Sequence, residues 1–89
     1  MEILAVAIAL KKTLLDRIRG QMGDVSKYSK EVQNHLHLAE IGVEAAAASY
    51  GSKDFKSALY HFGRCCSNLG ALLALGPKEQ KAWTHVDET

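Results

Sequence analysis

Histidine and cysteine residues in the middle of the chain could together bind a metal ion. His61 and Cys65 are four residues apart, a spacing that puts two ligands on one face of a helix. His37 is predicted to point to the polar side, and His35 to lie about two turns along a helical hairpin from the level of His61. Zinc needs three or four converging ligands. We therefore expect no metal site and no cofactor.

Cys66 is the other candidate for chemistry, since a thiol becomes a nucleophile where a positive charge or a helix N-terminus favours its thiolate. We place Cys66 at the centre of an apolar stripe in the middle of a helix, with Cys65 at the edge of that stripe. The sequence also contains no phosphate-binding glycine loop, no Glu–His metalloprotease helix and no recognisable Ser-His-acid motif. We predict that the protein is not an enzyme.

Helices must position all of these residues. Apolar residues recur every three or four positions in three long segments, as expected of amphipathic helices. Glycines between the segments and Pro77 mark their boundaries. Asp24 or Ser26 would cap helix two, and Ser52 or Asp54 would cap helix three. The predicted elements of this single domain, residues 1–89, are helices 2–20, 25–50 and 54–75 and a short helix 77–86 anchored by Trp83.

Each long helix has a predicted apolar face. In helix one we expect it to consist of Ile3, Leu4, Ala7, Ile8, Leu10, Leu14, Leu15, Ile18 and Met22. Helix two carries one strip of Val25, Tyr28, Val32, Leu36, Ala39, Val43, Ala46 and Tyr50 and an opposite strip of Leu38, Ile41, Ala45 and Ala48. A helix that is apolar on two sides is usually the middle element. In helix three the stripe consists of Phe55, Ala58, Leu59, Phe62, Cys66, Leu69 and Leu73.

These elements favour an all-α fold. Helices of about 20 residues span roughly 30 Å, and short connections between them favour an up-down-up three-helix bundle, here a helical hairpin plus an N-terminal helix. The hairpin turns at residues 51–53, and the alanine run 45–48 allows its two helices to approach closely. The alternative is a homodimeric bundle in which helix one packs on a second subunit. The sequence leaves both arrangements open.

An apolar run near the N-terminus, residues 3–10, lies where a targeting or membrane segment would lie. Glu2 stands where a signal peptide carries positive charge, and the run is far shorter than the roughly 20 residues that span a bilayer. Cys65 and Cys66 are neighbours that cannot close a disulfide loop, so we expect free thiols in a reducing compartment. These features predict a cytoplasmic protein without membrane contact.

Charge is uneven along the chain, although 11 basic and 10 acidic residues leave a net charge of only +1. Residues 11–30 include six basic and two acidic residues, whereas residues 31–50 include three glutamates and no lysine or arginine. We interpret these as solvated helix faces. The alternative is a nucleic-acid-binding protein that uses the basic segment 11–30, with Arg17 and Arg19 contacting phosphates.

Other residues suggest contact with a protein. Tyr60 and Arg64 lie on the outward side of helix three, and both residue types are enriched at binding hot spots. Lys11 lies within the apolar face of helix one. Either its stem packs while its charge reaches solvent, or it pairs with a carboxylate between two subunits. The candidate partner-binding residues are therefore Tyr60, Arg64, Lys11, Arg17 and Arg19.

Part of the hairpin resembles known helical families. The resemblance to the second half of a tetratricopeptide repeat rests on Ala47, Tyr50, Phe55, Ala58, Phe62 and Cys65. The tryptophan and Leu-Gly that open such a repeat are missing, and no second copy follows. Residues 39–73 are similar to HEPN domains, with an alanine-rich helix, a short turn and a leucine-rich helix. HEPN nucleases carry an arginine followed closely by a histidine, which is absent here, so this resemblance implies a non-catalytic component.

The sequence therefore predicts a small non-enzymatic helical protein that acts through protein–protein interaction, such as a bacterial or phage-encoded adaptor or inhibitor. Its apolar strips exceed what one hairpin can bury, which favours a homodimer. Nucleic-acid binding and a HEPN-like role are the alternatives.

Overall fold

A computed structural model describes residues 2–79 of the chain. Three α-helices account for most of this range and no strand occurs in it. Their bounds are α1 Glu2–Met22, α2 Lys30–Gly51 and α3 Phe55–Glu79, with a short 3-10 helix at Val25–Lys27 between α1 and α2. The all-helical fold predicted from the sequence is confirmed.

Helix α2 begins at Lys30, later than the predicted start at residue 25. The Asp24 side chain accepts a hydrogen bond from the Ser26 backbone N–H, but it caps only the short 3-10 helix. The chain then becomes extended, and the Ser29 hydroxyl accepts a hydrogen bond of 3.2 Å from the Val32 N–H. Ser29 is therefore the N-cap of α2, and the expected cap at Asp24 or Ser26 is wrong.

The turn between α2 and α3 contains a residue in the left-handed region. The Lys53 N–H donates to the Tyr50 carbonyl at 3.0 Å, and the Asp54 N–H donates to the Ser49 carbonyl at 2.9 Å. These two hydrogen bonds form a Schellman motif, in which the left-handed position is usually glycine. Here it is Lys53, with φ of 64°. Gly51, which we expected in the turn, is instead the last residue of α2.

Helix α3 continues through Gly76 and Pro77 to Glu79, although we predicted its end at residue 75 and a new helix from 77. Proline has no N–H, so it removes the backbone hydrogen bond to the Leu73 carbonyl. That single loss falls in the last turns of a 25-residue helix and does not end it. The remainder of the predicted short helix, including Trp83, lies outside the described residues.

The core is apolar throughout the described range, with no buried polar or charged side chain there. Helix α2 packs more extensively against α3 than against α1. Its first predicted strip is confirmed as the buried face. The buried side chains are Leu4, Ile8, Leu15, Ile18 and Met22 of α1, Val32, Leu36, Ala39, Val43 and Ala46 of α2, and Ala58, Cys65, Leu69 and Leu72 of α3.

The predicted stripe of α3 is confirmed in part, because Ala58 and Leu69 are buried and Phe62 and Leu73 pack against the core. The buried face is rotated away from Leu59 and Cys66. Cys65 is completely buried and Cys66 only half-buried, the reverse of the prediction. Leu59, placed in the stripe, is 52% exposed. Apolar residues are abundant around α3, so counting them does not identify which flank meets α2. The inward side is the one that includes Cys65 and Leu72.

Gly42 determines this rotation, because α2 and α3 touch backbone to backbone there. A Cβ atom at Gly42 would lie 3.0 Å from the Cys65 nitrogen and 3.1 Å from the His61 carbonyl oxygen. These distances are shorter than an ordinary van der Waals contact, so only glycine fits without displacing α3. Ala39 and Ala46, on either side along the contact, are also completely buried.

We expect Gly42→Ala to destabilise the fold by about 1 to 3 kcal/mol, because the new methyl group meets rigid helix backbone. Gly63→Ala and Gly70→Ala are matched controls, since a Cβ at either position meets nothing within 4 Å. These controls should gain about 0.5 to 1 kcal/mol from the higher helix propensity of alanine. Urea unfolding followed by circular dichroism measures all three. A stabilising Gly42→Ala would contradict the close contact.

Lys53→Gly should stabilise the protein by about 1 kcal/mol, because glycine adopts a left-handed conformation without the steric cost of a side chain. The matched control is Lys56→Gly, which makes the same replacement within the first turn of α3 and should cost about 1 kcal/mol. Thermal unfolding of both variants tests the sign. Destabilisation by Lys53→Gly would contradict the conformation of this turn.

Candidate functional site

One face of α1 exposes large aliphatic side chains. Ile3, Val6 and Leu10 are 86%, 58% and 64% exposed. Their spacing of three and four residues places them along one line of the helix, termed here the α1 strip. Ile3 and Leu10 were predicted to face the core, and that prediction is wrong. The buried side of α1, which includes Leu4 and Ile8, is a different face of the helix.

A second uncovered surface lies between α2 and α3. It is a groove of about 140 Å³ whose residues define what we term the hairpin groove: Leu38, Ile41, Gly42, Ala45, His61 and Arg64. Ile41 is 47% exposed, and Ala48, about two helical turns further along α2, is also exposed. The second apolar strip of α2 is therefore only partly covered, contrary to the expectation for a middle helix.

Tyr60 and Arg64 form a pair at the rim of this groove. The Arg64 Cζ atom lies 6.0 Å from the centroid of the Tyr60 ring, and Arg64 Nη1 donates to Tyr60 Oη at 3.5 Å. Tyr60 is 60% exposed and its ring makes an edge contact with the His61 ring at 5.3 Å. This cation–π contact joins two side chains that remain open to solvent.

The other candidate residues, all on α1, lie in different environments. Arg19 forms a bidentate ion pair with Glu40 of α2, with Nη2–Oε1 at 2.6 Å and Nε–Oε2 at 2.8 Å. This hydrogen bonding to Glu40 raises the pKa of Arg19. Lys11 is half-buried, whereas Arg17 is exposed. The basic segment 11–30 thus includes one neutralised and one partly covered cation, and nucleic-acid binding stays a prediction.

The Cys65 thiol is chemically protected. Burial raises its pKa to about 11, and the neighbouring Cys66 adds to this effect. The positive charge of Lys11 acts in the opposite direction, so its ammonium group lies within electrostatic range of the thiol. A thiol in this state is a poor nucleophile at neutral pH.

The histidines do not converge. His35 Nδ1 lies 2.9 Å from the Asn68 Oδ1 atom, and Asn68 in turn donates from Nδ2 to the Arg64 carbonyl at 3.0 Å. Asn68 is seven residues beyond His61, so the predicted offset of about two turns is confirmed. His37 is exposed beside Glu40 and Glu44. In the part of the chain described by the structure, no three His, Cys, Asp or Glu side chains form a metal-binding group.

No family model, curated protein or solved structure matches this chain. The candidate site therefore rests on the geometry of the described residues alone. None of the helices within residues 2–79 combines the length and the apolar character needed to cross a bilayer.

Sequence reasoning missed three residues of these surfaces. Val6 was not assigned to any face, although its spacing from Ile3 and Leu10 indicates a common line. Gly42 lies between Ala39 and Ala46 in a pattern of small residues that is typical of close helix packing. Ile41 was assigned to a covered strip. The exposed fraction of each side chain could not be read from the pattern.

We expect the free energy of unfolding to fall as pH rises from about 9 towards about 11. In this window the unfolded Cys65 thiol loses its proton while the folded one keeps it, so the folded state loses stability by up to about 1.4 kcal/mol per pH unit. Cys65→Ala removes this dependence and retains the other groups that titrate in the same range. Parallel stability–pH curves for the two proteins would contradict the assignment.

Proposed function

We propose that this chain is a non-enzymatic protein that acts by binding another protein, as an adaptor or inhibitor, and that it does so as a homodimer. The α1 strip is the observation that carries the proposal. Exposed aliphatic side chains that lie together on one line of a helix mark a candidate interaction site. A second copy offers an identical strip, as in the two-fold interfaces of most homodimers.

In this proposal the three helices run up, down and up. Ala5 and Ala9 of α1 lie beside Ala47 and Tyr50 of α2, while Arg19 lies beside Glu40, which supports opposite directions for α1 and α2. His35 with Asn68 and Tyr50 with Phe55 support opposite directions for α2 and α3. Helix α1 then packs on the hairpin with its buried side and leaves the α1 strip uncovered.

The strength of such a dimer can be bounded. Burying a large aliphatic side chain contributes about 1.5 to 3 kcal/mol, and association costs about 4 to 15 kcal/mol. Three such side chains from each copy contribute about 9 to 18 kcal/mol in total, which is similar in size to this cost. The dimer should therefore dissociate on dilution, and its equilibrium can be measured.

Sedimentation velocity over a range of protein concentrations tests whether the chain forms the proposed homodimer. We expect wild type to dimerise, and Leu10→Glu to shift it to monomer at unchanged helicity, because Leu10 lies outside the core. Ile41→Glu is the matched control: it places the same charge on a similarly exposed aliphatic residue of α2 and should still dimerise. A wild-type monomer at every concentration, or equal effects of both variants, would contradict the homodimer.

A further inference from the structure

The hairpin groove has two chemically different sides. Leu38, Ile41 and Ala45 of α2 provide aliphatic surface, while His61 and Arg64 of α3 provide polar groups. Gly42 lies between them without a side chain, so the groove exists because the two helix backbones approach there. This surface is on α2 and α3, apart from the α1 strip.

The Arg64 guanidinium is not bound to a carboxylate within residues 2–79, where the ion pair is that of Arg19 with Glu40. Its contacts are with the Tyr60 ring and hydroxyl. These contacts with Tyr60 leave most of the guanidinium N–H donors open to a ligand. An arginine with free N–H donors can bind a carboxylate through two parallel hydrogen bonds.

The carboxylate of Asp54 is already engaged in hydrogen bonds. Asp54 lies within electrostatic range of His61, but its two carboxylate oxygens accept hydrogen bonds from the Ser57 N–H at 3.2 Å and hydroxyl at 2.8 Å. These hydrogen bonds lower the pKa of Asp54. They engage that carboxylate in capping α3, and no carboxylate of residues 2–79 forms an ion pair with Arg64.

We propose that the hairpin groove binds a segment of a partner protein that presents a carboxylate side chain within one helical turn of an aliphatic one. The carboxylate binds Arg64, and the aliphatic side chain packs against Leu38, Ile41 and Ala45. A nucleic acid fits less well, because phosphate backbones are bound by several cations together rather than by one arginine beside aliphatic residues. The inference rests on the proposed role in binding another protein, but it does not depend on the homodimer.

Selection from a displayed library of short random peptides against the purified wild-type protein tests the inference. We expect selected peptides to carry Asp or Glu within one helical turn of Leu, Ile or Val. Affinities of the selected peptides are then measured for Arg64→Gln and for Lys56→Gln, a matched control at an exposed cation on the same helix. Arg64→Gln should weaken binding about tenfold or more, because it removes a charge-assisted hydrogen-bond pair.

The outcomes separate this inference from its alternatives. Binding retained by Lys56→Gln and lost by Arg64→Gln supports it, and replacing the acidic residue of the peptide by its amide should cause a similar loss. A selection without binders, peptides without acidic residues, or peptides that bind Arg64→Gln equally well would overturn it. Peptides that lose affinity for the Leu10→Glu variant but not for the Arg64→Gln variant would assign binding to the α1 strip instead. The dimer measurement above is unaffected by any of these results.

Discussion

The backbone contact between Gly42 and Cys65 is the constraint on which the hairpin depends. It brings α2 and α3 closer than any side chain at position 42 would permit. Once the helices meet at this point, Cys65 must face inward, and the neighbouring Cys66 and Leu59 are carried outward. The same contact places His61 and Arg64 at the edge of the α2 surface. Fold and candidate site thus share one cause.

The three long helices and their order followed from hydrophobic period, and the buried face of α2 was predicted correctly because its apolar residues lie on a clear line. The rotation of α3 did not follow, since apolar side chains occur on more than one flank and only packing selects among them. Helix boundaries depended on hydrogen bonds that compete locally. Asp24 and Ser29 are both good caps, and the structure uses both, one after the other.

The position of the left-handed residue between α2 and α3 was also predicted incorrectly. Glycine is the usual signal for a left-handed residue, so Gly51 indicated the turn, yet Lys53 adopts that conformation. The outward placement of Tyr60 and Arg64 was predictable, because a polar or aromatic residue opposite an apolar stripe has few alternatives. The α1 strip was not predictable. A helix with apolar residues around much of its circumference does not indicate which of them its neighbours cover.

The packing at Gly42 also bears on how this sequence can change over evolution. Positions such as Leu36 or Leu72, although completely buried, can exchange one aliphatic side chain for another with repacking. Position 42 permits no such exchange. Every other amino acid has a Cβ atom, and a Cβ at this position would lie too close to the backbone of α3. In divergent descendants of this chain, a glycine facing a small residue on the next helix should persist after most of the hydrophobic core has been replaced. That pair is the feature by which distant relatives could be recognised.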